Sequence, residues 1–138
     1  MMKVSGQCLC GAVRYQGDAE PMFQAKCYCT DCRKMSAAGH AAMMGFAKNA
    51  IKITGELKAY HSKAGSGADV QRSFCPTCGA GVLSENAGMP GVIFLRASTL
   101  DDPNLFAPQM IVWASRAPAW DAVAPAGVPA FAQGPQRG

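Results

Sequence analysis

Histidine is nearly absent from this sequence, because His40 and His61 are its only two histidines. A metal site or an acid–base relay that needs several histidines is therefore excluded. Long hydrophobic runs are missing as well. The most apolar segment, residues 37–47, contains His40 and is too short to cross a bilayer, so we expect no membrane partner.

Positive charge is present but is not concentrated anywhere. The 13 lysines and arginines are scattered, with no run of them and no basic stretch interleaved with aromatic residues. The formal net charge of +4 counts seven thiols as neutral, and deprotonating them around two zinc ions would leave about +1. Nucleic-acid-binding surfaces usually cluster basic residues on one face, so we do not expect a nucleic-acid partner.

The N-terminal residues also lack the features of a secretory signal. Residues 1–11 contain one lysine and no apolar stretch long enough for a signal peptide. Reduced thiols are typical of the cytoplasm, whereas oxidising compartments favour disulfides. We expect a cytoplasmic protein.

Cysteine, in contrast, is abundant and clustered. The seven cysteines form three groups, which are Cys8 and Cys10, then Cys27, Cys29 and Cys32, then Cys75 and Cys78. An odd count leaves one thiol unpaired in any disulfide scheme, and cysteines one residue apart are poor disulfide partners. A thioredoxin-like motif needs a βαβ pattern, which is not visible here. An iron–sulfur cluster stays open, but paired short spacings favour zinc.

Seven thiolates suit two different zinc sites. Structural zinc usually has four protein ligands, whereas catalytic zinc has three and an open position. Joining the first pair of cysteines to the last pair would tie an early segment to a late one, which suits a structural site. The middle cluster, with three thiolates, would be completed by water, by His40 or His61, or by an incoming thiol.

Most of the chain has the pattern of short strands between turn residues. The predicted strands are residues 9–15, 51–54, 57–60, 70–74, 92–97 and 110–114. A helical turn is predicted at residues 30–37, capped by Thr30 or Asp31. The predicted organisation is one mainly β domain over residues 1–120, followed by an Ala/Pro/Gly-rich tail or extended arm at residues 121–138.

Three segments resemble the glutathione-dependent formaldehyde-activating enzyme family. They are GQCLCGAVRY at residues 6–15, CYCTDCRK at 27–34 and FCPTCG at 74–79, and they contain all seven cysteines in order. Weaker matches are GELKAYHS at 55–62, LDDP at 100–103 and the segment 113–120. Tyr28 and Gln109 stand where the family commonly has histidine.

The resemblance implies an Mss4-like β-fold of short antiparallel strands stapled by zinc. It implies a structural zinc on Cys8, Cys10, Cys75 and Cys78, and a catalytic zinc on Cys27, Cys29 and Cys32. The implied reaction joins glutathione, or another small thiol, to formaldehyde or a related aldehyde, and the family is classed among the carbon–sulfur lyases.

Residues around the three-cysteine cluster are candidates for binding such a substrate. Arg33 and Lys34 follow Cys32 directly and carry the positive charge that a carboxylate needs, with Arg72 and Lys63 behind them. Tyr28, His40 and His61 are candidates for a general base. The aromatic residues Trp113, Trp120 and Phe46 are candidates for the walls of a pocket, although aromatic residues more often belong to the core.

A different class of function also fits the cysteines. A non-enzymatic zinc module would bind a protein or a nucleic acid through its β surface. It would have a closed second site, with a histidine or a partner side chain as the fourth ligand.

Overall fold

The computed structural model describes residues 1–121 and 127–135, and its architecture is mainly β, as the sequence predicts. The strands are β1 (Met2–Gln7), β2 (Arg14–Ala19), β3 (Phe23–Cys27), β4 (Ala41–Ala47), β5 (Ile51–Thr54), β6 (Lys58–Lys63), β7 (Asp69–Phe74), β8 (Gly81–Asn86), β9 (Val92–Arg96) and β10 (Met110–Val112). One α-helix, α1 (Thr30–Ser36), lies in the described part of the chain. No helix there has the length and apolarity needed to span a membrane.

The strands form two sheets. The small sheet has the order β1-β2-β5, and the large sheet has the order β10-β3-β4-β9-β8-β7-β6. Strand pairs are antiparallel except for β10, which runs parallel to β3. Because side chains alternate between the faces of a strand, each sheet can place one set of residues inside and the other set outside.

The hydrophobic core lies between the two sheets. From the small sheet it takes Val4, Tyr15 and Ile51, which are at most 7% exposed. From the large sheet it takes alternate residues of the central strands, namely Met44, Phe46, Leu83, Ile93 and Leu95. Only one face of the large sheet is used in this way, and the other face is available for a site.

Two local predictions at the cysteines are wrong. The predicted strand at residues 9–15 begins only at Arg14, because the chain turns between Cys8 and Val13 with Gly11 at φ +81°. The cap of α1 is Cys29 rather than Thr30 or Asp31, since its sulfur accepts a hydrogen bond from the backbone N–H of Cys32. Both corrections have the same cause, which is that backbone groups near a thiolate turn towards its sulfur.

The described part of the predicted tail lies beside β10. Ile111 donates a backbone hydrogen bond to Pro129 and accepts one from Phe131, and Trp113 donates to Gln133. Phe131 also packs against the small apolar cluster around Cys27. This geometry is that of an extended arm, while residues 122–126 and 136–138 of the predicted tail lie outside the described residues. The division into a domain and a tail stays a prediction.

Gly6 on β1 provides a test of the packing of the small sheet against the segment Ala97–Thr99. A Cβ at this position would collide with the Thr99 carbonyl oxygen and the Tyr15 hydroxyl, whose oxygen lies 2.8 Å from the Thr99 hydroxyl. We expect Gly6→Ala to lower the free energy of unfolding by about 1–3 kcal/mol, measured by urea denaturation. Gly81→Ala is the matched control, because a Cβ there meets no atom of the described residues within 4 Å. Equal losses in the two variants would contradict the proposed collision.

Candidate metal centres and active-site cavity

Four cysteines that are distant in sequence come together at one edge of the core. The sulfurs of Cys8, Cys10, Cys75 and Cys78 all lie within 4.8 Å of one another. The Cys10 sulfur is 3.7 Å from that of Cys8 and 3.7 Å from that of Cys75. The edges of a tetrahedron of sulfurs around zinc, at a Zn–S distance of about 2.3 Å, are about 3.8 Å long. The four thiols therefore have the spacing that a tetrahedral metal requires.

Two tight turns hold this four-cysteine cluster. The Cys75 sulfur accepts backbone hydrogen bonds from Thr77 and Cys78 at 3.4 and 3.5 Å, and the Cys8 sulfur accepts one from Val13 at 3.3 Å. Gly79 follows Cys78 at φ +79°, a conformation that glycine adopts without strain. The backbone N–H of Ala80 helps to lower the pKa of Cys78 to about 6. The turn after Cys78 thus favours a thiolate at that position before any metal binds.

The other three cysteines meet where β3 gives way to α1. Cys27 is the last residue of β3, Cys29 caps α1 and Cys32 lies in its first turn. Their sulfurs lie within 4.8 Å of one another, and no His, Asp, Glu or further Cys joins them among the described residues. Residues 1–121 and 127–135 therefore supply three ligands of a tetrahedral site and no fourth.

The pKa values of Cys27 and Cys29 in the three-cysteine cluster are shifted in opposite directions. Hydrogen bonds from Cys27 and Cys32 lower the pKa of Cys29 to about 2, although burial opposes this, and the charge of Arg72 contributes to it. The pKa of Cys27 is raised, first by its hydrogen bonds to Cys29 and Cys32 and then by burial. One negative charge is therefore stable on the cluster without a metal. A divalent cation would be needed to hold all three sulfurs as thiolates, and zinc fits this donor set.

A cavity of about 610 Å³ opens over the three-cysteine cluster. Its floor is the face of the large sheet that is not used by the core, and it consists of alternate residues along six strands. They are Phe23, Ala25 and Cys27 on β3, Met43 on β4, Val70 and Arg72 on β7, Ser84 and Asn86 on β8, Phe94 and Arg96 on β9, and Met110 and Val112 on β10. Cys29, Asp31, Cys32, Ala64, Gly65, Trp113 and Arg116 are among the residues that complete its walls. The sheet thus separates a core face from a cavity face.

Comparison with known proteins identifies this arrangement. The family model for the glutathione-dependent formaldehyde-activating enzyme matches residues 3–116, a segment that contains all seven cysteines and both clusters. The chain belongs to the glutathione-dependent formaldehyde-activating enzyme family. A crystal structure of a Rhodobacter sphaeroides protein is similar in fold, with a TM-score of 0.58 at 20% identity over 92% of this chain and 99% of that chain. A search of curated proteins found no match.

Membership of the formaldehyde-activating family agrees with the Mss4-like β-fold expected from the sequence. Large and small sheets of short, mostly antiparallel strands are observed, and the four-cysteine cluster links distant parts of the chain. The pairing of Cys8 and Cys10 with Cys75 and Cys78, and the separate cluster of three, match the grouping that the resemblance implies.

The two basic residues that were the first candidates for binding substrate, Arg33 and Lys34, do not line the cavity of this family member. Arg33 is half-buried and Lys34 is exposed on α1, and neither lines the cavity. Each residue of a helix is turned about 100° from the one before, so Arg33 and Lys34, which follow Cys32, face away from the site. Arg72 and Arg96 line the cavity instead, from β7 and β9. Of the four basic candidates, only Arg72 lines the cavity, and a role of Arg33, Lys34 or Lys63 in substrate binding stays a prediction.

Neither histidine belongs to a cysteine cluster. His40 pairs through Nδ1 with the Asp121 carboxylate at 2.6 Å, and its ring packs against Tyr28 with the centroids 5.1 Å apart. His61 is exposed on β6. The Tyr28 hydroxyl is buried and has no hydrogen-bond partner among the described residues. None of the three lines the cavity, so the structure does not bring the candidate general bases to it.

Among the aromatic candidates, one lines the cavity. Trp113 contributes to its wall, and the guanidinium of Arg116 lies 5.9 Å from the centroid of the Trp113 ring. Phe46 is fully buried in the core, and Trp120 is 75% exposed. Phe23 and Phe94, which no sequence motif marks, pack at the cavity floor with their ring centroids 5.1 Å apart and their planes tilted by 48°. Phe94 lies between the core residues Ile93 and Leu95, and the alternation of faces along a strand is the signal that would have placed it on the opposite side.

Proposed function

We propose that this protein is a zinc-dependent enzyme of the carbon–sulfur lyase type. Its substrates would be formaldehyde, or a related aldehyde, and glutathione or another small thiol. Zinc on Cys8, Cys10, Cys75 and Cys78 would be structural, and zinc on Cys27, Cys29 and Cys32 would be catalytic. The reduced thiols that both sites need are kept in the cytoplasm, which is the compartment we propose.

One observation carries this proposal. The three-cysteine cluster lies at a large cavity and has no fourth ligand in residues 1–121 and 127–135. Catalytic zinc sites keep such an open position, whereas structural sites are closed. Family membership adds the chemical class, because the name of the family specifies glutathione and formaldehyde.

In the proposed reaction the thiol sulfur bonds to the aldehyde carbon. The π electron pair of the carbonyl moves to its oxygen, and the thiol proton ends on that oxygen. Bound zinc would supply Lewis acidity and favour the thiolate form of the substrate. The apolar floor formed by Phe23, Met43 and Phe94 would limit access of water, and the buried arginines would make the cavity attractive to anions.

The alternative, a non-enzymatic zinc module, is less well supported. A second site closed by the chain's own histidines would need His40 or His61 beside the three cysteines. His40 is paired with Asp121 instead, and His61 lies on an exposed strand. A fourth ligand from a partner protein is the form of this alternative that the experiment below addresses.

The test combines metal content with product formation. We expect mass spectrometry of the purified protein to give two zinc ions per chain. We also expect NMR to detect faster formation of S-hydroxymethylglutathione from glutathione and formaldehyde than in protein-free buffer. The control is the same protein with the second site removed by Cys29→Ser. Two zinc ions with no acceleration for any small thiol would contradict the enzyme and favour a binding module.

A further inference from the structure

Two arginine side chains are buried in the floor of the cavity. Arg72 on β7 and Arg96 on β9 are each 8% exposed, although arginine is rarely buried unless it is paired. The intervening strand, β8, places Ser84 opposite Arg72, and Ser84 is in turn opposite Phe94, two residues before Arg96. The two guanidinium groups therefore lie on the same face of the large sheet and line the same cavity.

Both guanidinium groups have unused hydrogen-bond donors. Arg72 donates from Nη1 to the Ser62 hydroxyl at 2.8 Å, but its buried Nε has no partner within the described ranges. The buried Nη1 of Arg96 likewise has no partner there. A buried donor without an acceptor costs about 1–3 kcal/mol, so these positions favour a ligand that brings oxygen acceptors.

Their positive charge is not neutralised by a carboxylate of the chain. Neither arginine forms an ion pair in the part of the chain that the structure describes. Asp31 is the one carboxylate that lines the cavity there, and it is exposed on α1. The thiolates of the three-cysteine cluster line the same cavity and attract both arginines. Three thiolates and one divalent cation have a net charge of −1, whereas the two guanidinium groups carry +2. The cluster alone therefore does not neutralise both arginines.

We propose that Arg72 and Arg96 form an anion subsite that binds a carboxylate of the thiol substrate, so that the enzyme selects acidic thiols over neutral ones. The planar fork of a guanidinium suits a carboxylate, and two of them can hold both of its oxygens. This inference rests on the proposed thiol chemistry at the neighbouring cluster. It adds the residues that would recognise the carboxylate, which neither the family name nor the cysteines identify.

The test compares two small thiols that differ in the carboxylate. Zinc-loaded full-length protein with methyl-labelled methionine would be titrated with 3-mercaptopropionate and with 2-mercaptoethanol, followed by NMR. Met43 and Met110 line the cavity and report binding there. We expect 3-mercaptopropionate to bind at least about tenfold more tightly, as one charge-assisted hydrogen-bonded pair would give. Arg72→Gln and Arg96→Gln should each reduce this preference to about twofold or less.

Several controls keep the result specific. Lys52→Gln should retain the preference, because Lys52 is exposed on β5 of the small sheet and does not line the cavity. If Arg96→Gln fails to fold, Arg96→Lys takes its place. This variant keeps the positive charge but not the planar fork, and it should give an intermediate preference. Arg96 also borders a smaller cavity that Met35 lines, so shifts at Met35 without shifts at Met43 would overturn the assignment.

Failure of this inference can be told apart from failure of the proposed function. Equal affinity for the two thiols, with turnover of formaldehyde intact, would overturn only the subsite. An equal loss of both thiols in the arginine variants would also overturn it, because the arginines would then serve the sulfur. If neither thiol binds, the protein would be titrated with propionate, which has the carboxylate but no thiol. Saturable shifts of the Met43 signal that disappear in Arg72→Gln would support the subsite, and the absence of such shifts would refute it.

Discussion

Replacing Cys75 with serine is expected to leave a chain that is unfolded under conditions in which the wild type is folded. Cys75 is fully buried, and its sulfur accepts two backbone hydrogen bonds and lies 3.7 Å from the Cys10 sulfur. Structural zinc contributes about 10–16 kcal/mol of binding free energy in small zinc domains. Domains of ordinary stability have only about 5–15 kcal/mol in total. Loss of this site therefore removes an amount comparable to the whole stability.

The measurement is circular dichroism and zinc content after purification under identical conditions. We expect the variant to lose its β signal, or to aggregate, and to lose zinc from the four-cysteine site. Treating the wild type with a strong chelator should produce the same state, and adding zinc back should restore the fold. A Cys75→Ser protein with wild-type stability would show that the hydrophobic core suffices alone, and that the four-cysteine cluster is not structural.

Replacing Cys29 with serine is expected to abolish activity while the fold survives. Cys29 lies at the cavity and is half-buried, and its sulfur is one of the three that would hold the catalytic metal. The same sulfur caps α1 by accepting the Cys32 N–H at 3.3 Å. Serine is among the best N-cap residues, so the hydroxyl can replace the sulfur in this second role. The substitution thus separates metal binding from helix capping.

We expect zinc content to fall from two ions per chain to one, and thiol-dependent turnover to fall to the uncatalysed rate. The free energy of unfolding in urea should stay within about 1 kcal/mol of the wild type, because the cap is kept and the core is untouched. The informative comparison is with Cys75→Ser. If both variants unfold, or if both stay folded and active, the assignment of one structural and one catalytic cluster is wrong.

Strands could be predicted where one face is apolar and the other is polar, or where the segment is rich in β-branched residues. Ile51–Thr54 was predicted with its observed bounds, and β7 and β9 were predicted to within one residue. β4 was missed because both of its faces are apolar, one towards the core and one towards the cavity, so it shows no alternation. β3 is only five residues long and carries a buried glutamine, Gln24, whose side chain accepts a hydrogen bond from the backbone of Ala107.

The cysteine clusters were predictable because their ligand chemistry is visible in spacing alone. The cavity was not, since its residues come from six strands that are adjacent only after the sheet has formed. Arg96 illustrates the difference: it lies more than 60 residues from Cys32 in sequence, and β4 and β9 bring Met43 opposite it across the sheet. Arg33, next to Cys32 in sequence, is carried away by the turn of α1. Sequence neighbours of a ligand are therefore poor guides to a cavity built on a sheet.

The two faces of the large sheet have a consequence for how proteins of this architecture can diverge. Phe94 faces the cavity, and its neighbours Ile93 and Leu95 face the core. A change at Phe94 would alter which aldehyde or thiol fits, with little effect on the packing between the sheets, whereas a change one residue away would do the reverse. Chemistry and stability are thus encoded at alternate positions of the same strands. New substrate preferences can then be acquired by mutations that leave both metal sites and the core intact.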